Sequence, residues 1–219
     1  MQQVVIFGTS DFAQVAHAYL ARSHDYQVAG FTVDHRHITT PTLLGCDVVA
    51  FEHLQDRFPP DRFSMLVAVG YSRLNKGRTE VYQACKARGY RLITYVDPGA
   101  SRVGDVTIGD NCFIFEQNVL QPFVTIGNNV VIWSGNHIGH HAAIGDNCFI
   151  ASHAVIAGRV TIGHNCFIGI NATIRDGVTI APNCIIGAGA TILGDTSEGE
   201  VYRVEASAPS PHRSERWRV

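Results

Sequence analysis

From Ile108 to Ile192 every sixth residue is isoleucine or, at Leu120, leucine, and no insertion breaks the register. The fifth residue of each six is small or apolar, Ala, Val or Cys, except at Asn118 and Asn136. A hexapeptide period this regular specifies a parallel β-helix, whose repeats stack and contact only their neighbours. A longer period sits on top of it. IGDNCF at 108, IGNNVV at 126, IGDNCF at 144, IGHNCF at 162 and IAPNCI at 180 are alike. Three hexads therefore make one coil, a triangular prism in which residues eighteen apart lie above one another at the strand spacing of a sheet.

This register sorts the side chains. First and fifth residues of each hexad point in, third and fourth residues occupy a corner, and second and sixth residues face out. Asn111, Asn129, Asn147, Asn165 and Asn183 form one corner column, apt because Asn tolerates left-handed backbone and its amide can ladder between coils. Cys112, Cys148, Cys166 and Cys184 form an inward column, read as small buried apolar groups rather than disulfides or metal ligands. Asn118 and Asn136 stack in the interior and are expected to satisfy each other and the backbone.

Four of the eleven histidines fall within residues 132–153. His137 is an outward sixth residue, His140 and His141 share a corner as third and fourth residues, and His153 is a fourth residue on a corner of the next coil. None is interior, so each is either a polar corner residue or part of a site. The column through His140 reads Gly104, Pro122, His140, Gly158, Asp176, Gly194. Small residues beside an imidazole leave a notch, although glycine also suits a tight corner.

Residues 1–95 carry another pattern, strands alternating with helices, which implies a parallel sheet covered on both faces in an α/β, Rossmann-like domain. "QVVIFG" ends a strand at Gly8. The helix after it is capped by Ser10 or Asp11. "YQVAGFTVD" ends at Asp34, "SMLVAVG" ends at Gly70, "NKGRTEVYQACKARG" is an amphipathic helix, and "YRLITYVDP" is a strand leading out. In open parallel sheets ligands sit at the carboxyl ends of the strands, where Gly8, Asp34 and Gly70 all fall. The turn Gly8-Thr9-Ser10-Asp11 aims helix amides at an anion, but it lacks the GxGxxG spacing of a dinucleotide site. Domain limits of 1–95, 96–195 and a tail of 196–219 follow, the tail read as a strap over the open end of the prism.

Composition excludes several classes. A formal net charge of −2 and the absence of basic runs, apart from "PHRSERWRV" at the end, argue against a nucleic-acid binder. No stretch is long and apolar enough to span a bilayer, and the amino terminus lacks the charged region of a signal peptide. A cytoplasmic location is expected.

"FGTSDFAQVA", "AVGYSRLNKGR" and the unbroken hexads together resemble the bacterial sugar acyltransferases, the group of sialic acid O-acetyltransferases and N-acetyltransferases of 4-amino nucleotide sugars. The resemblance implies a left-handed coil, a homotrimer with acetyl-CoA between neighbouring prisms, and a nucleotide or sugar held by the N-terminal domain through Gly8, Ser10, Asp11, Asp34 and Gly70, with His137 nearby. It implies His140 as general base and places CoA contacts near His153, Gly158, Ile170 and Ala188. The residue after the base is often acidic in this group; here it is His141, with Glu116, Asp146 and His137 as other candidates to orient the base. The implied chemistry is direct attack of a sugar amine or hydroxyl on the thioester, without a resident metal. Two alternatives stand beside it: a zinc-dependent hydratase of the gamma-carbonic-anhydrase type using His137, His140 and His141, and a non-catalytic trimeric scaffold.

Overall fold

The structure is a computed structural model in which residues 1–210 are described. The basic cluster of the tail, residues 211–219, lies outside the described residues. Among the described residues no helix is long and apolar enough to cross a membrane.

The N-terminal part is a five-stranded sheet of β1 (Gln2–Phe7), β2 (Tyr26–Val33), β3 (Thr42–Leu43), β4 (Cys46–Ala50) and β5 (Ser64–Val67), in the order β3-β4-β2-β1-β5. All pairings are parallel except that of β3 with β4. Alternation along β1 explains the two layers, since successive strand side chains point to opposite faces. Val4 and Ile6 pack with Ala13, Ala16 and Leu20 of α1 (Asp11–Ala21). Val5 and Phe7 pack with Leu54 of α2 (Leu54–Arg57) and with Tyr82 and Cys85 of α3 (Lys76–Ala87). The segment "YRLITYVDP" is not a strand of this sheet as expected. It touches β5 through a single bridge, Met65 to Leu92, and its Tyr95–Val96 pairs with Phe113–Ile114 as the first rung of the next structure. The chain leaves one sheet to begin another.

From there two-residue strands stack eighteen residues apart into three parallel sheets. The first face contains Phe113–Ile114, Val131–Ile132, Phe149–Ile150 and Phe167–Ile168, the second Val119–Leu120, His137–Ile138 and Val155–Ile156, and the third Thr125–Ile126, Ala143–Ile144 and Thr161–Ile162. Stacked parallel strands carrying hexapeptide repeats fit a left-handed β-helix. The isoleucines, alanines, valines and cysteines assigned to the interior form one buried cluster along the prism axis. Each buried isoleucine contributes about 1.5–3 kcal/mol relative to exposure. All six cysteines are free thiols. Asn136 Nδ2 donates to Asn118 Oδ1 at 3.0 Å, so the two interior asparagines do satisfy each other. The corner asparagines hold positive φ, between 51° at Asn111 and 63° at Asn147, and ladder at 2.8 Å from Asn111 to Asn129 and from Asn129 to Asn147.

One expectation needs correction. Second and sixth residues were placed facing out, yet on the first face Phe113, Phe115, Val131 and Phe149 are buried. The α/β part covers that face, with Phe12 and Tyr19 of α1 against Phe113 and Phe115. At the far end, residues 195–202 close the prism. Asp195 and Thr196 accept hydrogen bonds from the backbone amides of Thr179 and Ala181, and Val201–Tyr202 adds a strand to Ile185–Ile186.

Candidate active site

The imidazoles at 140 and 141 stand on the edge between the second and third faces, in the corner joining His137–Ile138 to Ala143–Ile144. His140 is half-buried and its backbone N–H donates to Gln121 Oε1 at 2.8 Å, one coil below. His141 is exposed and takes the left-handed corner conformation, φ 59°. That turn brings the two rings together, centroids 5.4 Å apart and Nδ1 to Nδ1 3.2 Å. On the far side of His141 lies the ring of Phe123, at 4.7 Å. Phe123 is 54% exposed and itself left-handed, φ 67°, an unusual conformation for a bulky residue.

A hydrogen bond between two imidazole Nδ1 atoms needs one donor and one acceptor. When His140 Nδ1–H donates to His141, the lone pair of His140 lies on Nε2, the atom free to take a proton. Nε2 is also the atom that the fold presents. A Cβ placed on Gly158 would come within 2.7 Å of His140 Nε2 and within 2.7 Å of Asp176 Oδ1. The notch read in the glycine column is thus filled by the imidazole, which leans over Gly158 with the Asp176 carboxylate on the same glycine.

The other candidate orienters are engaged elsewhere. Glu116 accepts from Tyr19 Oη and Ser134 Oγ, both at 2.7 Å. Burial opposes ionisation of Glu116, but those bonds outweigh it and hold the carboxyl below the usual range. Tyr19 is pushed up to about 12, by burial first and then by that carboxylate. Asp146 accepts from the Asn128 backbone at 2.6 Å. Among the described residues no group of three or more His, Cys, Asp or Glu side chains is placed to hold a metal ion, so His137, His140 and His141 form no such group within the chain.

The residues expected around the base divide between two edges. Gly158 is at His140. His153, Ile170 and Ala188 lie along the edge between the first and second faces, and His153 folds over Gly135, where a Cβ would sit 2.5 Å from its ring. His153 is therefore not a neighbour of His140 on one corner line. His137 is half-buried on the second face, between Val119 and Val155.

The N-terminal candidates do gather. Gly8, Asp34 and Gly70 follow β1, β2 and β5, three adjacent strands, so they share the carboxyl edge of the sheet. The connections turn away from β1 in opposite directions, the switch point at which open parallel sheets bind ligands. Gly8 has φ 126° and packs so tightly that a Cβ would meet Ala68 O at 2.7 Å. Ser10 and Asp11 are exposed at the start of α1, and Asp34 forms an ion pair with Arg36 at 3.6 Å. Beyond Gly70, Tyr71 reaches over the first face of the prism. It shares with Trp133, Phe149, Ser152 and Ile170 a cleft of about 270 Å³. Tyr71 and Ile170 are each about half exposed there. Sequence reasoning missed Gln121, Phe123 and Tyr71; only the eighteen-residue columns hint at the first two, since Phe123 lies beneath His141 and Gln121 precedes the Pro122 that lies beneath His140.

Comparison with known proteins agrees with this architecture. Residues 105–136, 123–158 and 159–194 match the bacterial transferase hexapeptide (six repeats) family. A comparison with curated proteins found no match. Among solved structures, the chain is similar to PerB from Caulobacter crescentus in complex with CoA and GDP-perosamine, at 25% identity, 93% coverage of each chain and a TM-score of 0.79. It is also similar to the acetyltransferase domain of PglB from Neisseria gonorrhoeae FA1090, at 22% identity over 92% of this chain and 96% of that one, TM-score 0.80. WeeI from Acinetobacter baumannii AYE follows at 18% identity over 89% and 97%, TM-score 0.69. Residues 105–194 are thus similar to bacterial transferase hexapeptide repeats, and nearly the whole chain shares the fold of these structures.

Proposed function

We propose that this chain is an acetyl-CoA-dependent acyltransferase that acetylates an amino or hydroxyl group of a sugar, in nucleotide-linked form, for surface-glycan biosynthesis in the cytoplasm. The observation that carries the reading is His140, with Nδ1 tied to His141 and Nε2 presented over a bare glycine. PerB, which binds CoA and GDP-perosamine, shares the fold over 93% of each chain and supports the substrate classes.

In this reading residues 1–95 hold the nucleotide at the carboxyl edge of the sheet, through Gly8, Ser10, Asp11, Asp34 and Gly70. Residues 96–195 form the transfer domain and 196–219 its tail. Three copies associate side by side. The edge of one prism carrying His140 and Gly158 then faces the edge of another carrying His153, Ile170 and Ala188, with acetyl-CoA between them and His137 beside the acceptor. His140 Nε2 takes a proton from the acceptor as it attacks the thioester carbonyl, a role that contributes about 10²–10⁴-fold in other enzymes. A backbone N–H at the glycine corner stabilises the oxyanion. The thioester is already activated, so no covalent enzyme intermediate is needed.

The test is release of the CoA thiol from acetyl-CoA in the presence of GDP-, UDP- and dTDP-linked amino sugars and of sialic acids. Turnover with one acceptor class supports the reading; a protein that neither binds acetyl-CoA nor turns over with any acceptor is a scaffold. Gly158 offers a finer test. Its substitution Gly158→Ala meets first the side-chain ends of His140 and Asp176 rather than backbone, so the melting temperature is expected to stay within a few degrees. Displacing the imidazole by about an ångström is expected to lower kcat by roughly 10²-fold. Unchanged turnover by Gly158→Ala would place the reacting groups elsewhere.

A further inference from the structure

Asp176 has no part in the chemistry described so far, and its position gives it one. It belongs to the coil above Gly158, and Gly158 lies above His140, all in one corner column. Asp176 Oδ1 and His140 Nε2 both approach within 2.7 Å of the point where a Gly158 Cβ would be. They are thus no more than two hydrogen-bond lengths apart. Among the described residues, however, neither a hydrogen bond nor an ion pair joins them directly. A gap of that width between an acceptor carboxylate and an acceptor imidazole nitrogen fits one donor atom that carries at least two protons. With His140 Nδ1 donating to His141, Nε2 is the acceptor nitrogen, and it is Nε2 that lies beside the gap. Asp176 itself is exposed at the corner, so its carboxylate is reachable by a ligand.

We infer that Asp176 is an acceptor-binding residue, which holds the protonated amino group of the sugar against His140 Nε2. The inference rests on the acyltransferase reading and deepens it at one atom. An alkyl ammonium carries three N–H donors. One is accepted by the carboxylate and one points at Nε2. The ammonium gives that second proton to Nε2 and becomes the neutral amine. The amine nitrogen forms a C–N bond with the thioester carbonyl carbon, the C–S bond breaks, and a further N–H proton goes to the departing thiolate. The products are the amide, the CoA thiol and an imidazolium, which returns its proton to solvent. A hydroxyl acceptor has one proton and no charge. It satisfies only one of the two acceptors, so the pair discriminates for amines.

The experiment uses Asp176→Asn and Asp176→Ala in the full chain, with the amino sugar that gives the fastest wild-type turnover in the panel above. The corresponding hydroxyl nucleotide sugar serves as a competitive inhibitor. Loss of a charge-assisted hydrogen bond is expected to raise KM for the amine by about tenfold or more. KM for acetyl-CoA, Ki of the hydroxyl analogue and the melting temperature are expected to hold within about twofold or a few degrees. Asp176→Glu is expected to recover part of the loss. Equal losses for amine and hydroxyl ligands, or a wild-type KM for the amine in Asp176→Asn, would overturn the inference while the wild-type turnover leaves the acyltransferase reading intact. Absence of wild-type turnover overturns both.

Discussion

His140→Ala is expected to lower kcat at least about a hundredfold while leaving the melting temperature unchanged. Both halves of that expectation come from the structure. The ring contributes nothing to the buried prism, because it leans outward over Gly158. The bond that ties residue 140 to the coil below is made by its backbone N–H to Gln121, and alanine keeps it. What alanine removes is the lone pair at Nε2. His141 does not substitute for it, because its Nδ1 faces His140 and its ring packs on Phe123. Steady-state kinetics with saturating acetyl-CoA measures the effect, and a kcat near wild type would end the assignment of His140 as base.

The second large effect is structural. Arg78 of α3 is completely buried, 0% exposed, and among the described residues no carboxylate pairs with it. Its guanidinium donates instead to Asn129 O at 3.3 Å, Asn147 O at 2.9 Å, Cys148 O at 3.1 Å, Gly70 O at 3.2 Å and Asn75 Oδ1 at 3.0 Å. Burial pulls its pKa down to about 10, which still leaves it charged at neutral pH. The planar fork bridges three places: the asparagine edge of the prism, the loop after β5, and the turn before α3. That turn runs through Arg73, Leu74 and Asn75, all left-handed at φ 51°, 52° and 65°. Three such residues cost on the order of 1–2 kcal/mol each, and a held loop is what keeps them there. Arg78→Met leaves several buried carbonyls without donors and is expected to destabilise by about 3 kcal/mol or more. For a chain of this size that corresponds to a fall in Tm of roughly 6–12 °C. Arg78→Lys is expected to recover little, because one ammonium cannot span the same acceptors. A thermal melt of Arg78→Met that matches wild type would show the clamp to be dispensable.

The prism was legible in the sequence because a period of eighteen assigns each side chain to a face without reference to anything else. The same register misplaced the first face. Its aromatic outward residues, Phe113, Phe115, Trp133, Phe149 and Phe167, are covered or partly covered by a part of the chain that the repeat knows nothing of. A signal was present, since outward threonines mark the third face where aromatics mark this one. Arg78 left no signal. A cation within an amphipathic helix reads as solvated until the carbonyls around it are seen. The site divides in the same way. His140 and its glycine were found from the column, whereas the Nδ1 contact depends on the left-handed φ of His141, and the bearing of Asp176 on Nε2 depends on how far one ring leans.

The lateral cover on the first face also bears on how the molecule opens. A bare solenoid is held rung by rung, and any rung can fray independently of those far away. Here Phe12, Tyr19, Tyr71, Asn75 and Arg78 grip successive rungs from Phe113 to Phe167 at once. Those rungs come apart only together with the α/β sheet, as one cooperative unit. Among the described residues, the rungs from Thr173 onward are held by their neighbours and the 195–202 closure, with no hydrogen bond or ring contact to the α/β part. Local unfolding therefore begins at that end, and Ala188 belongs to the looser part of the molecule, whereas His140 stands on the firmer part.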